Sequence, residues 1–425
     1  MKRNVLVAGI GQVNYLFQLY GNIGPKLNSF NFNSLNLQKF GDEDTALKSK
    51  EIFCNNYQFK FNYRNGWMLI EGILNTVSRK HFWLTQRIML AENGWRSFRY
   101  FFGMLKQHIA AYHLAKFIDG KTNTEIIHVH YPKYNYILFL KYLKNDYKVI
   151  QTFWGSDIYR INSWIDHEIQ QSTLPKSDFI TVTTPEMRFC LLTRYGDSFF
   201  DRIRLTKFVS DDTYYTLAGK LLNDFTWQET FKSKLGISEN KIIILFGHNA
   251  HKPNNHLKLL EELRKLPSNI LADYHIIFPL AYGDPSGRYI NELKNQSENI
   301  PATFTFLTNF MNWEEMAKLK IVSDVYIHGP TTDGLSAYLT EFLFTENLAI
   351  VGDWLPYKTF SDAGIRYLEF SNFSMLNKLL LRLRQEIAVN ATNVKGNRAK
   401  VLKYFNNSTI VDEWVSFFNE IPVDL

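Results

Sequence analysis

The sequence predicts a two-domain α/β protein in which each domain is a parallel sheet with helices between its strands. The chain has 425 residues, which is too many for one hydrophobic core. Short runs rich in Val, Ile, Phe and Thr recur in both halves, with helical patterns between most of them. This alternation is typical of parallel strands joined by crossover helices.

Nine runs are predicted as strands, four in the first half and five in the second. They are residues 4–8, 125–130, 147–153, 179–183, 242–246, 274–278, 303–307, 324–328 and 348–351. We therefore predict two doubly wound domains, residues 1–205 and 241–405, with a polar linker at 206–240. Residues 406–425 are predicted as a C-terminal helix that crosses back to the N-terminal domain. The Asn-rich segment 26–39 is predicted as a surface loop.

The net charge and the number of cysteines indicate which classes of partner and which cellular compartment to expect. The net charge of +7 suits phosphorylated ligands or an anionic membrane surface. No run of Lys and Arg is dense enough for a nucleic-acid-binding tail, so nucleic acid is not expected as a partner. Two cysteines fit a reducing cytosol. The apolar run before Gly9 is too short for a signal peptide, and no segment has 18 uninterrupted apolar residues.

Residues 78–116 combine basic and aromatic side chains. Arg79, Lys80, Arg87 and their neighbours alternate with Trp and Phe in a helical segment. A basic amphipathic helix of this composition can lie in a membrane interface. The alternative is a set of core-facing helices whose basic residues form the solvated face.

A candidate phosphate site follows the strand 242–246. Gly247 ends the strand, a polar loop follows, and an amphipathic helix begins near Leu257. Backbone N–H groups and the helix dipole at such a turn favour a phosphate. The side chains expected to contribute are His248, Asn249, Lys252, Asn255 and His256, with His251 nearby. The alternative is an ordinary strand-to-helix connection.

Three further segments of the second half follow predicted strands. Tyr282 lies in the sequence FPLAYG, and Asn309 follows the strand 303–307. After the strand 324–328, the expected phosphate contacts are Asp333, Gly334, Leu335 and Ser336. Glu341 lies two helical turns beyond Asp333 on nearly the same face and can accept hydrogen bonds from ribose hydroxyls. The alternative is a capped helix with one solvated Glu.

The first half has its candidate residues at strand ends too. In TFWGSDIYR, Trp154, Gly155 and Ser156 are predicted acceptor contacts. Asp157 is a candidate base, with helix capping as the equally favoured alternative. His130 ends the preceding strand and is a second candidate base, although a structural role is more common there. Gly9 and Gly11, after the first strand, are further acceptor candidates.

These motifs resemble those of GT-B glycosyltransferases, whose two Rossmann-like domains face a central cleft. Three segments are similar to the bacterial Fuc4NAc (4-acetamido-4,6-dideoxygalactose) transferase family. They are WGSDIY at 154–159, PNNHLKLL at 253–260 and FPLAYG at 278–283. That family has a Gln pair where this chain has Thr332 and Asp333. The spacing from Asp333 to Glu341 instead resembles the Glu-x7-Glu element of the GT4-type retaining enzymes.

The resemblance implies a nucleotide-diphosphate sugar as co-substrate, bound mainly by the C-terminal domain, with no other cofactor and no metal. It implies an acceptor bound by the N-terminal domain. An inverting reaction would need a base, Asp157 or else His130, whereas a retaining one would not. The basic aromatic segment fits a lipid-linked acceptor at the cytoplasmic face of the membrane, in O-antigen, capsule or lipopolysaccharide synthesis. A nucleotide-sugar epimerase and a catalytically silent scaffold with this fold are the alternatives.

Overall fold

A computed structural model describes residues 2–9, 14–36, 49–94, 98–161, 163–208 and 212–422, without the side chains of residues 14, 15, 98 and 99. The predicted acceptor residue Gly11 lies outside the described residues, and so do Trp95 and Arg96 of the basic aromatic segment. The chain divides into two compact units. One comprises Met1–Val209 with Val411–Leu425, and the other comprises Ser210–Ile410.

The first unit contains a sheet that has seven strands within the described residues. The strands are β1 (Arg3–Ala8), β2 (Phe30–Asn36), β3 (Asn55–Gln58), β4 (Ile126–His130), β5 (Lys148–Thr152), β6 (Phe179–Val182) and β7 (Ile203–Leu205). They lie in the order β3-β2-β1-β4-β5-β6-β7, and every neighbouring pair is parallel. The order reverses at β1, which is a doubly wound arrangement.

The second unit contains a sheet with six strands among the described residues. They are β8 (Ile242–Phe246), β9 (Tyr274–Pro279), β10 (Thr303–Leu307), β11 (Val325–His328), β12 (Leu348–Gly352) and β13 (Leu368–Phe370). Their order is β10-β9-β8-β11-β12-β13, again with parallel pairing throughout. Central strands of both sheets are buried along their length, because helices cover both faces of a parallel sheet.

Helices connect the strands in each unit. In the first unit the α-helices are Asn14–Ile23, Gly66–Val77, Lys80–Asn93, Phe98–Lys121, Tyr134–Ile137, Ser156–Tyr159, Trp164–Thr173 and Pro185–Tyr195. In the second they are Asp212–Leu221, Gln228–Lys234, His256–Leu263, Ser268–Leu271, Arg288–Ser297, Trp313–Val322, Ala337–Leu343, Lys358–Asp362, Phe373–Leu381, Leu383–Asn390 and Asn397–Tyr404. A last helix spans Asn407–Asn419. None of the helices in the described ranges is long and apolar enough to cross a membrane.

The predicted α/β architecture is confirmed, and each of the nine predicted strands is present within two residues of its expected bounds. The prediction of a surface loop at 26–39 was wrong, because β2 is an interior strand of the first sheet. Phe30 and Phe32 alternate with asparagines whose amides pair with neighbouring strands. Asn31 Nδ2 donates to Asn4 Oδ1 over 3.3 Å, so polar residues are accommodated in a buried sheet.

Part of the segment predicted as a linker is helical and packs into the second unit. Helix Asp212–Leu221 buries Tyr214 and Tyr215, and helix Gln228–Lys234 buries Phe231. All three side chains join the core that covers one face of the second sheet. Only a few residues of these two helices are apolar and buried, and most of the others are polar. The sequence therefore shows no regular helical pattern of apolar residues in this segment.

The C-terminal helix Asn407–Asn419 belongs to the first unit from Val411 onward. Trp414 is fully buried, and its indole N–H donates to the carbonyl of Lys207 over 2.9 Å. Phe418 lies edge-on to Phe32, with 5.3 Å between the ring centroids. Arg3 Nη1 donates to the carbonyl of Ile421 over 3.1 Å. The end of the chain is therefore part of the first unit's core.

Replacing the buried anchor of this helix should destabilise the first unit. We expect Trp414→Ala to lower the free energy of unfolding by about 3–5 kcal/mol, because it removes a large buried ring and one hydrogen bond. Thermal unfolding followed by circular dichroism measures the loss. The matched control is Trp67→Ala, at a side chain that is 79% exposed, and its effect should stay within about 0.5 kcal/mol. Equal effects of the two substitutions would contradict the packing described.

Candidate functional site

The residues predicted as acceptor contacts gather at one edge of the first sheet. Parallel strands point the same way, so Gly9, His130 and Trp154 all follow or end strands at their carboxyl ends. Gly9 has φ 100°, and a Cβ there would lie 2.7 Å from the carbonyl oxygen of His130. Only glycine fits this close approach between the ends of neighbouring strands.

A buried chain of hydrogen bonds runs from Trp154 through the ends of β4 and β5. Trp154 Nε1–H can only donate, and it does so to His130 Nδ1 over 3.3 Å. In the neutral ring the proton of His130 is therefore on Nε2, which lies 2.6 Å from the Tyr20 hydroxyl. Tyr20 in turn lies 2.8 Å from His128 Nδ1, and His128 Nε2 lies 2.6 Å from Thr152 Oγ1.

These hydrogen bonds fix the environment of His130, one of the two predicted bases. The side chain is fully buried, and burial lowers the pKa of His130 well below its usual value. Burial likewise lowers the pKa of His128 to about 3. Both imidazoles are neutral near pH 7, and both nitrogens of His130 are engaged. In this arrangement His130 orients the Trp154 ring, which stacks on it with 5.7 Å between the centroids.

Asp157, the other predicted base, organises its own loop. Its Oδ1 accepts hydrogen bonds from the backbone N–H groups of Trp154, over 3.0 Å, and Gly155, over 2.8 Å. The side chain is fully buried, and burial raises the pKa of Asp157 to about 6 against these hydrogen bonds. Gly155 has φ 126°, which places its N–H toward the carboxylate. Ser156 is half-buried at the start of the short helix that follows.

In the second unit, Gly247 and His256 lie against each other. Gly247 has φ 68°, and a Cβ there would lie 2.6 Å from His256 Nε2. The His256 ring is buried against Phe246 and Phe278, and burial lowers its pKa to about 3. Its Nδ1 lies 3.3 Å from the Tyr289 hydroxyl. His256 is therefore a neutral core residue beneath the loop.

The loop after β8 is held by asparagine side chains. Asn249 Oδ1 accepts from the N–H of His251 over 2.9 Å, and its Nδ2 donates to the Tyr282 hydroxyl over 3.3 Å. Asn255 has φ 62°, and its Nδ2 donates to the carbonyl of Gly329 over 2.7 Å. These bonds join the loops after β8, β9 and β11, so the predicted donor segments are brought together.

Two residues predicted to bind the nucleotide-sugar donor are exposed. Two backbone N–H groups predicted to bind phosphate already have hydrogen-bond partners within the protein. Lys252 places its ammonium 5.6 Å from the centroid of the Tyr289 ring at the protein surface. Asn309 is exposed beyond the end of β10. The N–H of Gly247 reaches the carbonyl of Ile327 over 3.5 Å, and the N–H of Gly334 donates to Asp333 Oδ1 over 2.8 Å.

Asp333 is the centre of a buried polar cluster at the end of β11. Its Oδ2 accepts from the Tyr357 hydroxyl over 2.9 Å and lies 3.1 Å from His328 Nε2. Burial by itself raises the pKa of Asp333, but the hydrogen bonds from His328 and Tyr357 and the nearby His248 leave it lowered overall. The His248 and His328 rings lie 5.9 Å apart. An ionised Asp333 therefore holds the His328 ring in place at this edge.

Glu341 forms a buried ion pair with Lys320. Ser336 caps the helix that carries Glu341, its Oγ accepting from the N–H of Leu339 over 3.2 Å. Lys320 Nζ contacts Glu341 Oε2, and Lys320 has no exposed surface. The ammonium lies 3.8 Å from the Tyr338 ring centroid and 4.8 Å from that of Tyr214. Burial lowers the pKa of Lys320, and Glu341 opposes that shift.

The sequence did not identify three side chains that contact Asp333 or Glu341. They are Lys320, His328 and Tyr357. A lysine between Leu319 and Ile321 in an apolar helical stretch is a usable signal, because a buried lysine needs a partner. Tyr357 lies beyond the next strand, and nothing local in the sequence connects it to Asp333. The predicted residue Leu335 packs, half-buried, against the core.

In the described part of the chain, no group of three or more His, Cys, Asp or Glu side chains could hold a metal ion.

Part of the sequence is similar to a known protein family. Residues 95–184 match the family model described as glycosyl transferase 4-like. No curated protein sequence matches the chain.

Solved structures similar to this chain cover nearly its full length. A glycosyltransferase from Rickettsia africae is 16% identical, with a TM-score of 0.66 over 99% of this chain and 98% of that one. Anabaena HepE in complex with UDP is 10% identical, with a TM-score of 0.65 over 99% and 100%. A UDP-forming α,α-trehalose-phosphate synthase from Burkholderia xenovorans is 12% identical, with a TM-score of 0.66 over 100% of both chains. The chain therefore has the two-domain α/β fold of GT-B glycosyltransferases.

The Lys320–Glu341 pair should behave as a coupled unit. We expect Lys320→Met to lower the free energy of unfolding by about 3–5 kcal/mol, because it leaves a carboxylate largely desolvated and unpaired. The double variant Lys320→Met/Glu341→Gln should recover at least about 1 kcal/mol of that loss. Denaturant unfolding of the wild type, both single variants and the double variant gives the coupling energy. Strict additivity of the two single effects would show that the pair is not coupled.

Proposed function

We propose that the protein is a glycosyltransferase that moves a sugar from a nucleoside-diphosphate donor to a hydroxyl group of a saccharide acceptor. The observation that carries this proposal is the set of charged side chains at and behind the carboxyl edge of the second sheet. There the loops after β8 and β11 carry the exposed cation of Lys252 and the ionised Asp333, and Glu341, on the helix after β11, is held by the buried Lys320. The glycosyl transferase 4-like match and the UDP and UDP-glucose complexes of Anabaena HepE support it.

In this proposal the donor lies across the loops after β8 and β11. Glu341 uses Oε2 for Lys320, which leaves Oε1 to accept a hydrogen bond from a ribose hydroxyl. Among the described residues, no carboxylate lies within ion-pair distance of Lys252, so its ammonium is available to the diphosphate. That positive charge would stabilise the leaving diphosphate without a metal ion. Tyr282, which is 60% exposed, and Asn309 flank the same edge.

We further propose that the reaction retains the configuration of the donor sugar. Inversion requires a base that removes the acceptor proton. Asp157 and His130 are both fully buried, and both are engaged in the hydrogen bonds that hold their own loops. A retaining reaction needs no such base, since the leaving diphosphate can take the proton. The Asp-x7-Glu spacing from Asp333 to Glu341 supports the same choice.

We propose a lipid-linked saccharide as the acceptor, in bacterial surface polysaccharide synthesis, and peripheral binding to the cytoplasmic face of the membrane. Helix Gly66–Val77 exposes Trp67, Ile70 and Leu74, a spacing that puts them on one face. Between residues 59 and 107 the sequence has eight Lys or Arg and only two Glu. Of the two acidic groups, Glu71 pairs with Lys116. An apolar face within a basic region is suited to an anionic membrane surface.

Binding of a nucleoside diphosphate tests the donor site. We expect one of the nucleoside diphosphates UDP, dTDP, GDP and ADP to raise the melting temperature, with about 2.7 kcal/mol of stabilisation at a concentration 100 times its Kd. Glu341→Ala and Lys252→Ala should remove most of the increase, because they delete the ribose and diphosphate contacts. The control Glu298→Ala, at an exposed carboxylate, should keep it. If no nucleotide stabilises the wild type, the donor site is wrongly placed.

Sedimentation with lipid vesicles tests the membrane surface. We expect the protein to pellet with vesicles containing phosphatidylglycerol and to remain in solution with phosphatidylcholine alone. The triple variant Trp67→Ser/Ile70→Ser/Leu74→Ser should bind at least about tenfold more weakly, because it removes three inserted side chains.

The control for that variant replaces three exposed apolar residues elsewhere in the first unit. Phe189, Phe200 and Leu205 are 71%, 51% and 43% exposed, and their replacement by Ser should leave vesicle binding unchanged. Equal losses in the two triple variants, or a wild type that never pellets, would rule out the proposed surface.

A further inference from the structure

The first unit contains an apolar pocket that the proposed sugar transfer does not use. Its volume is about 370 Å³, within the range of small-molecule sites. The segment after β3 contributes Phe59, Lys60, Phe61 and Tyr63, helix Phe98–Lys121 contributes Gln107, Ala110, Ala111 and Leu114, and the segment after β4 contributes Asn135, Leu138 and Phe139. Aromatic and aliphatic groups dominate this lining.

Part of the pocket lining follows the carboxyl edge of the first sheet. Phe59 directly follows the carboxyl end of β3, and Asn135 lies five residues beyond the carboxyl end of β4. Both strands are parallel to β1 and β5, so these two lining residues follow the same edge as His130 and Trp154. Ligands of open α/β sheets bind at this edge.

Packing around the pocket is aromatic and ordered. Phe61 stacks on His113 with 4.8 Å between the centroids and lies edge-on to Tyr63 at 4.7 Å. Phe59 lies 5.8 Å from Phe117. The Tyr63 hydroxyl donates to the carbonyl of Lys106 over 3.3 Å. These contacts hold the segment after β3 against helix Phe98–Lys121, so two walls of the pocket are fixed by packing.

The charge at the rim is positive. Lys60 lines the pocket and is exposed, and Lys106 places its ammonium 5.9 Å from the Tyr63 ring centroid. In the described part of the chain, neither lysine has a carboxylate within ion-pair distance, and no acidic side chain lines the pocket. An apolar interior with unpaired cations at its rim matches a hydrocarbon chain that ends in a phosphate.

We propose that this pocket binds the first part of the hydrocarbon chain of the lipid-linked acceptor, with the phosphate next to Lys60 and Lys106. A volume of about 370 Å³ equals that of roughly twelve water molecules, which suits a similar number of methylene-sized groups. The assignment to the acceptor rests on the proposed function, whereas the preference for a chain and a phosphate rests on the pocket itself. Tyr63 lies shortly before helix Gly66–Val77, which carries the exposed apolar face.

Calorimetric titration of the full-length protein with dodecyl phosphate, below its micelle concentration, tests this assignment. We expect saturable binding that inorganic phosphate does not reproduce, because most of the affinity comes from burying the chain. Ala110→Phe should weaken binding at least about tenfold, because excluding even two methylene groups from the pocket costs that much. Lys60→Ala should weaken dodecyl phosphate more than dodecanol. The control Ala388→Phe adds the same ring at an exposed site in the second unit.

A second variant and two further measurements make the result decisive. Gln107 lies exposed on the pocket rim, so Gln107→Trp covers the entrance without disturbing the core, should Ala110→Phe fail to fold. Unchanged binding of dodecyl phosphate in Gln107→Trp or folded Ala110→Phe would overturn the proposal. Release of the protein from vesicles by dodecyl phosphate would show that a bilayer lipid occupies the pocket, which would overturn the acceptor assignment.

The nucleotide measurement separates this proposal from the proposed function. Stabilisation by the nucleoside diphosphate should persist in the pocket variants, because the donor site lies in the second unit. Loss of dodecyl phosphate binding with intact nucleotide binding refutes the pocket alone. Absence of nucleotide binding in the wild type refutes the donor site, whatever the pocket binds.

Discussion

All neighbouring strands of both sheets pair in parallel, and this pairing decides where the candidate functional residues of each unit lie. A parallel pair needs a crossover connection, so every strand of both sheets is followed by a loop at the same edge. In the first sheet that edge receives Gly9, His130 and Trp154. In the second it receives the loops that begin at Gly247 and Gly329. Residues far apart in sequence therefore lie at the same edge, and most candidate functional residues of each sheet are found there.

Several buried polar groups at these edges are paired, and the pairing defines what each of them can do. Trp154 can only donate, so it sets the direction of the hydrogen bonds through His130 and Tyr20. Lys320 is buried between two tyrosine rings and needs the carboxylate of Glu341, which in turn receives a fixed orientation. A charged pair of this kind contributes little net stability but strongly restricts geometry. In the proposed reaction, that restriction serves ribose recognition.

Local patterns in the sequence were enough to predict nine of the thirteen strands in the described residues, and the edge positions that follow them. Alternation of Val and Ile with Gly-containing turns located β8 and β11 to within a residue, and parallel topology then placed Gly247 and Asp333 near each other. The same patterns failed at β2, because Asn31 and Asn33 resemble loop residues until their partners on neighbouring strands are known. They also left the role of Asp157 open between base and cap. The structure adds that the Asp157 carboxylate accepts hydrogen bonds from the N–H groups of Trp154 and Gly155, whose directions a sequence does not contain.

The site chemistry was less predictable than the fold, since it depends on burial. His256 resembled a phosphate ligand in sequence, yet its ring fills the core under Gly247. Lys320 resembled an ordinary helix residue, yet it orients Glu341. We propose that a nucleoside diphosphate binds at the carboxyl ends of β8 and β11. The decisive measurement is a crystal structure of the protein with the nucleoside diphosphate that raises its melting temperature. We expect the ribose at Glu341 and the diphosphate at Lys252, and a nucleotide bound elsewhere would refute this placement.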